Sequence, residues 1–206
     1  MDETPSREHW QQIYATHDEE RLSWFEPTPS ISLDMLMAPS LKKDAPILDV
    51  GGGASRLVDG LLDRGFTQLS VLDIADAALE KSKGRLADRA AQVRWMTADI
   101  TQWEPDRNYG AWHDRAVFHF LTTEQQRLDY RATMEKAVLP GGLVVIGTFS
   151  TLGPERCSGL PVQRYSAQSL SAELGDAFRW TATRKMEHST PTGQVQIFQF
   201  SRFVRE

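Results

Sequence analysis

The chain has 206 residues, 40% of them hydrophobic and 25% charged, with a formal net charge of −5. That balance excludes a disordered or fibrous chain, and the lack of a dense Lys/Arg run argues against nucleic acid or an anionic membrane as partner. Cys157 is the single cysteine, so no internal disulfide can form, and a reducing, cytoplasmic setting is expected. The opening stretch MDETPSREHW is polar and acidic where a secretory leader needs a basic and then an apolar segment. No apolar run approaches the roughly 20 residues of a membrane span. One domain over 1–206 is expected, with 1–41 a helical lid and 42–206 the core.

In chain order, residues 6–16 place Trp10, Ile13 and Tyr14 on one face of a short helix. Residues 23–30, SWFEPTPS, form a non-helical crossing, and 31–41 read as a second helix ending near Pro39. Tyr14 and Trp24 are the candidates for contact with a ligand below this lid; packing over the core is the alternative. The stretch 45–55, APILDVGGGAS, is a buried strand turning sharply into a helix over 55–65 with Ser55 as N-cap. A second strand (67–76) reaches Asp73, a helix follows (77–90), and a third strand (91–100) ends at Asp99 and Ile100. A fourth strand and its exit occupy 106–126. Thr122 or Thr123 caps the next helix, and the turn at Pro140 leads into an apolar fifth strand over 139–149. Residues 150–166 read as an irregular loop, 166–175 as a helix, and 178–189 with 193–204 as an antiparallel hairpin joined by TPTG.

The glycine turn narrows the ligand. A dinucleotide fingerprint needs a third glycine where Arg56 stands, and no G-x-x-x-x-G-K-[ST] phosphate loop is present. What remains, Asp49-x-Gly51-x-Gly53-x-Ser55, resembles the first motif of class I S-adenosylmethionine-dependent methyltransferases. A cofactor with a cationic sulfonium and no phosphate suits close backbone and a nearby carboxylate. The resemblance covers residues 40–204. It implies a Rossmann-like α/β three-layer sandwich: a seven-stranded, mostly parallel sheet closed by a C-terminal antiparallel hairpin. It further implies S-adenosylmethionine bound through Asp49, Gly51, Gly52 and Gly53, through Asp73 and Ile74 at the ribose, and through Asp99 and Ile100 at the adenine. S-adenosylhomocysteine is the implied product.

Methyl transfer demands an acceptor lone pair held in line with the methyl group and water kept out. The fourth strand's exit should face the methyl, and it carries His113, Asp114 and His119. Either histidine is a candidate base near neutral pH, and Asp114 is a candidate for orienting a histidine, meeting a positive acceptor or touching the cofactor. Trp24 and Trp112 are candidates for cation–π contact with the sulfonium, with core packing the alternative. His113 and His119 lack metal-pair spacing, one cysteine cannot build a thiolate site, and no G-x-S-x-G elbow appears, so neither a metal nor hydrolytic chemistry is expected. Cys157 lies on the loop after the fifth strand, either as a small hydrophobe or as a substrate-contacting thiol.

Two acceptor classes stay open. A compact core with a short aromatic lid resembles enzymes acting on small molecules, including thiol, thiopurine and tellurite methyltransferases. Some lysine-directed family members carry Asp-Lys-Gly-Thr where this chain has Asp114-Arg115-Ala116-Val117, a partial match that keeps a protein lysine as the alternative partner. No Asn-Pro-Pro-Tyr motif is present. A cofactor-binding regulator without catalysis is the third reading, and a monomer or weak dimer is expected.

Overall fold

The computed structural model describes residues 6–37 and 41–206. Pro39, the expected stop of the second helix, lies outside the described residues. The elements in chain order are α1 (Arg7–Thr16), a 3-10 turn (Glu19–Arg21), α2 (Ser30–Leu36), β1 (Ile47–Val50), α3 (Leu57–Asp63) and β2 (Leu69–Asp73). There follow α4 (Asp76–Leu86), a turn (Ala87–Gln92), β3 (Val93–Thr97), β4 (Tyr109–Arg115), a turn (Phe118–Phe120), α5 (Glu124–Ala137) and β5 (Val138–Phe149). The chain ends with β6 (Arg156–Cys157), β7 (Leu160–Pro161), α6 (Ala167–Leu174), β8 (Phe178–Ser189) and β9 (Val195–Arg205).

Seven strands form one sheet in the order β3-β2-β1-β4-β5-β9-β8. The pairings among β1 to β5 are parallel; β9 runs antiparallel to both β5 and β8. Successive side chains of a strand point to opposite faces. Ile47, Val71, Ala111 and Val145 therefore pack against Leu33 and Leu36 of α2 and Leu57, Val58 and Leu61 of α3. Leu48, Leu72, Trp112 and Val144 pack on the other face against Tyr130 and Met134 of α5 and Leu170 of α6. Strands apolar on both faces require helices on both sides, which yields the three-layer α/β arrangement read from the sequence.

Several local expectations shift. α3 begins after Arg56, one residue later than expected, although Ser55 Oγ still accepts from the Leu57 N–H at 3.1 Å. α4 stops at Leu86 because Ala87 takes φ 48°, a left-handed backbone that breaks a helix. The turn that follows is held by the Trp95 indole N–H donating to the Ala90 carbonyl at 3.0 Å. Thr123 caps α5 in a reciprocal box with Gln126. The 150–166 stretch is not wholly irregular: β6 and β7 pair within it as a small antiparallel ribbon.

The N-terminal segment is fastened to the helices on one side and to the last hairpin on the other. Glu19 accepts from Arg56 at 2.7 Å and from Arg85 at 2.6 Å, and Arg85 also donates to Asp59 at 2.8 Å. Across the molecule, His188 Nε2 donates to the Ser23 carbonyl at 2.8 Å. Removing the Glu19 carboxylate leaves Arg56 and one donor of Arg85 without it. Glu19→Ala is expected to cost about 1–2 kcal/mol, discounted because the cluster is partly solvated. Limited proteolysis should then cut within residues 17–29 markedly faster than in the unaltered chain; an unchanged rate would mean Glu19 does not hold the segment down.

Candidate active site

A cleft opens where β1, β2 and β4 end, the place at which open parallel sheets bind ligands. Its open space, counted out to the solvent at its mouth, is about 1000 Å³. Val50, Gly51, Leu72, Asp73 and Ile74 form the floor, Ala98, Asp99, Ile100 and Thr101 one end, and Arg115, Ala116, Val117, Cys157 and Phe198 the other. Trp10, Tyr14 and Trp24 roof it. Their rings pack edge to face: Trp10 on Trp24 with centroids 5.8 Å apart, Tyr14 on Trp24 at 6.0 Å, and Trp10 on Phe120 at 5.1 Å.

Two glycines shape the floor. Gly51 sits at φ +65°, and a Cβ there would fall 2.0 Å from Val117 Cγ2. At Gly53 a Cβ would meet Asp73 Oδ2 at 2.5 Å and Ala78 Cβ at 2.7 Å. Gly53 thus lets α4 and the Asp73 carboxyl close onto the turn, and its carbonyl accepts from the Ser82 hydroxyl at 2.6 Å. Gly52 faces Asp49 in a smaller recess beside the cleft, between Glu19, Arg56 and His113.

Asp73 is buried at the end of β2. Its Oδ1 accepts from the Ala75 N–H at 2.9 Å, and no side-chain donor among the described residues reaches it. Burial, backed by the charge of Asp49 and opposed by backbone donors, pushes its carboxyl up to about 7. Asp99 is half-exposed at the cleft's far end and accepts from the N–H and hydroxyl of Thr101 at 2.9 and 2.7 Å. Ile74 and Ile100 lie beside these two acids in the lining.

The polar residues of β4 are distributed differently. His113 and Asp114 are consecutive, so the strand sends them to opposite faces. His113 turns toward α2, where Nδ1 donates to Asp49 at 2.7 Å and Nε2 pairs with Ser32 Oγ at 2.9 Å. Asp49 is its direct neighbour across the parallel pair. Asp114 turns toward α5 and accepts from the Val117 and Phe118 N–H groups and from the Tyr130 hydroxyl, at 2.9, 3.0 and 2.7 Å. Burial raises its carboxyl to about 6 against those donors. Trp112 lies in the same interface, its indole N–H on Tyr130 Oη at 2.9 Å.

His119 is fully buried, ringed by Phe120 and Phe149, with Nδ1 accepting from the Phe149 N–H at 3.3 Å. Burial, helped by the Arg115 charge, lowers it to about 3, so the ring is neutral. None of His113, Asp114 and His119 is in the lining of the main cleft. Tyr14, Trp24, Gly51, Asp73, Ile74, Asp99 and Ile100 are brought together there; Asp49 and Gly52 border the smaller recess, and Gly53 supports the turn behind.

Residues 47–142 match a family model described as a methyltransferase domain. The fold agrees over nearly the whole chain. The structure of N-methyltransferase NodS from Bradyrhizobium japonicum with S-adenosylhomocysteine superposes with a TM-score of 0.74 at 15% identity, covering 98% of this chain and 99% of that one. A 1,6-didemethyltoxoflavin-N1-methyltransferase from Burkholderia thailandensis gives 0.71 at 15% identity, covering 97% and 83%. Among curated relatives, the eEF1A lysine and N-terminal methyltransferase of Mus musculus is 20% identical over 143 residues, 69% of this chain but 20% of that protein. A malonyl-[acyl-carrier protein] O-methyltransferase of Anoxybacillus flavithermus is 33% identical over 104 residues, 50% of this chain and 38% of that protein. The chain thus spans well under half the length of these relatives.

Trp10, Thr101, Arg115, Gln126 and Phe198 also line the cleft, and none was a candidate from sequence. Trp10 carried a signal, since it shares the Tyr14 face of α1. Phe198 carried none, because it arrives through a pairing of β9 with β5 that no local pattern encodes. Among the described residues, no group of His, Cys, Asp and Glu is arranged to hold a metal ion, and no helix is long and apolar enough to cross a membrane.

Proposed function

We propose that this chain transfers a methyl group from S-adenosylmethionine to a small-molecule acceptor entering beside Cys157 and Phe198. The observation that carries this is the division of the cleft: acids at the ends of β2 and β3, and a roofed, aromatic and largely apolar chamber beyond β4. Asp73, buried without a side-chain donor, fits ribose hydroxyls, which would supply the donors it lacks. Asp99 with Ile74 and Ile100 fits an adenine amine and ring. When bound, the cofactor supplies an electrophilic methyl on a cationic sulfur. Trp10, Tyr14 and Trp24 exclude water from that end.

The chemistry suits an acceptor that needs little help to lose a proton. His113 has both ring nitrogens occupied, Asp114 accepts three donors, and His119 is held neutral. We infer that these three position the strand exit and that no strong base stands at the methyl, which favours a soft nucleophile such as a thiolate, or an amine that is neutral on arrival.

The test is purified protein with methyl-labelled cofactor and a cell extract divided by size. Label in the small-molecule fraction is the expected result. Label on a single protein band would replace this reading with the lysine one, which the eEF1A-directed relatives make the second choice. Cofactor bound with no label transferred in any extract would favour a regulator.

The cofactor assignment has its own check by calorimetry. Asp73→Ala should weaken S-adenosylmethionine by roughly 1–3 kcal/mol. Asp73 titrates near 7 in the free chain, and ribose donors stabilise its ionised form. Binding should therefore release a proton below that value, and affinity should rise with pH up to about 7 and level off above it. Flat affinity between pH 5.5 and 8 would detach Asp73 from the cofactor.

A further inference from the structure

We propose that Arg115 is the acceptor anchor of this cleft and clamps a carboxylate carried by the methyl acceptor through Nε and Nη2; this deepens the methyltransferase reading above and rests on it. Arg115 is the last residue of β4, and its side chain is 11% exposed. Nη1 donates to the Trp24 carbonyl at 2.8 Å. The guanidinium lies over the Phe198 ring, with its central carbon 5.1 Å from the centroid. Nε and Nη2 are buried with no hydrogen-bond partner. Those two nitrogens form one edge of the guanidinium, the edge whose parallel N–H groups match the two oxygens of a carboxylate. The fork is thus fixed by a carbonyl at one end and an aromatic face below, with its pairing edge unused.

The groups around it explain why the edge is available. Glu26 Oε2 stands 3.6 Å from Nη2, near enough to balance the charge but too far to bond. Tyr14, Cys157 and Asp49 also lie within electrostatic reach, and burial keeps the first two neutral by raising both hydroxyl and thiol. His119 is near as well and uncharged, with Nε2 a further buried atom without a partner.

Position assigns the edge to the acceptor instead of the cofactor's nucleoside end. β2 lies two strands from β4 and β3 three, so at about 4.8 Å per strand Asp73 is roughly 10 Å and Asp99 roughly 14 Å across the cleft. Arg115 faces the other way, to Phe198 of β9 and Cys157 of the loop after β5. A fixed cation at the acceptor end also disfavours an ammonium-bearing acceptor such as a protonated lysine.

The experiment uses the whole chain saturated with S-adenosylhomocysteine, titrated calorimetrically with acetate, benzoate and hippurate and with the matching amides. At least one carboxylate should bind roughly tenfold or more tighter than its amide, the scale of a charge-assisted pair. Arg115→Met should erase that preference while S-adenosylhomocysteine affinity stays within about threefold. Because Arg115 also holds Trp24, two further variants guard against simple misfolding. Arg115→Lys keeps the charge and loses the fork, and should lose most of the preference. Glu26→Gln removes the competing carboxylate, and should tighten the carboxylate probe in the otherwise unaltered chain. No preference for any carboxylate over its amide would overturn the proposal, as would a preference that survives in Arg115→Met. A loss of S-adenosylhomocysteine affinity in Arg115→Met with the probe preference intact would assign the guanidinium to the cofactor's own carboxylate and also overturn it. Failure of the unaltered chain to bind S-adenosylhomocysteine would sink the methyltransferase reading itself; binding without anion preference sinks only the anchor.

Discussion

Asp114→Ala is expected to lower folding stability by about 3–5 kcal/mol, because it strips two buried donors and one partly buried donor of their acceptor at once. The Val117 and Phe118 N–H groups would be left unpaired in the turn that opens the cleft's rear wall, and Tyr130 would lose its hydroxyl partner in the α5 interface. For a chain of this size that corresponds to a fall in Tm of roughly 10 °C. Some offset comes from removing a carboxylate that burial already holds up near 6. Asp114→Asn keeps the volume and one acceptor oxygen and should lose less. Tyr130→Phe removes one of the three bonds, so the double variant with Asp114→Ala should cost less than the two singles added together. Urea denaturation of the four proteins checks this. A stable Asp114→Ala protein that binds cofactor but has no turnover would move Asp114 from the framework into the chemistry.

Gly53→Ala is the second large effect, and it falls on binding. The new Cβ would overlap the Asp73 carboxyl and Ala78, both backed by packed structure, so the turn, the carboxyl or the first turn of α4 must shift. Cofactor affinity is expected to fall by roughly tenfold to a hundredfold, about 1.4–2.7 kcal/mol, with a smaller loss of stability. Gly84→Ala is the control. It lies inside α4, a Cβ there meets nothing within 4 Å, and the substitution should leave affinity unchanged while adding up to about 1 kcal/mol of stability. Equal affinities for the two variants would show that the close approach at Gly53 is not what shapes the site.

The floor of the cleft was legible because it is written locally. A buried apolar strand, three glycines and acids at successive strand ends are short-range patterns, and the sheet they imply is the one observed. The roof was half legible: α1 and the aromatic pair after it were plain, but Trp10 looked like one helix-face residue among three. The exit of β4 misled more. His113, Asp114 and His119 stood out as polar groups in an apolar strand, yet alternation puts the first two into opposite helix interfaces, and each finds its partner, Ser32 or Tyr130, far away in sequence. Arg115, the residue after Asp114, entered only through the comparison with the lysine-directed motif, because nothing local marks this arginine as buried. Glu19, Arg56 and Arg85 likewise form their cluster only in three dimensions.

The way the segment before α2 is fastened has a consequence for synthesis. Ser23 is held by His188, 165 positions later, and the cleft lining includes Phe198 of β9. The roof is made well before its anchor. A nascent chain that has emerged only as far as β5 carries the glycine turn, Asp73, Asp99, Phe120 and the arginine partners of Glu19, but lacks Phe198 and the His188 that holds Ser23. Such a chain would leave the Ser23 and Trp24 end of its roof less firmly held until the hairpin of β8 and β9 leaves the ribosome. Full closure of the roof therefore waits on β8 and β9, and a translation pause within β8 would lengthen the interval in which that end is loose.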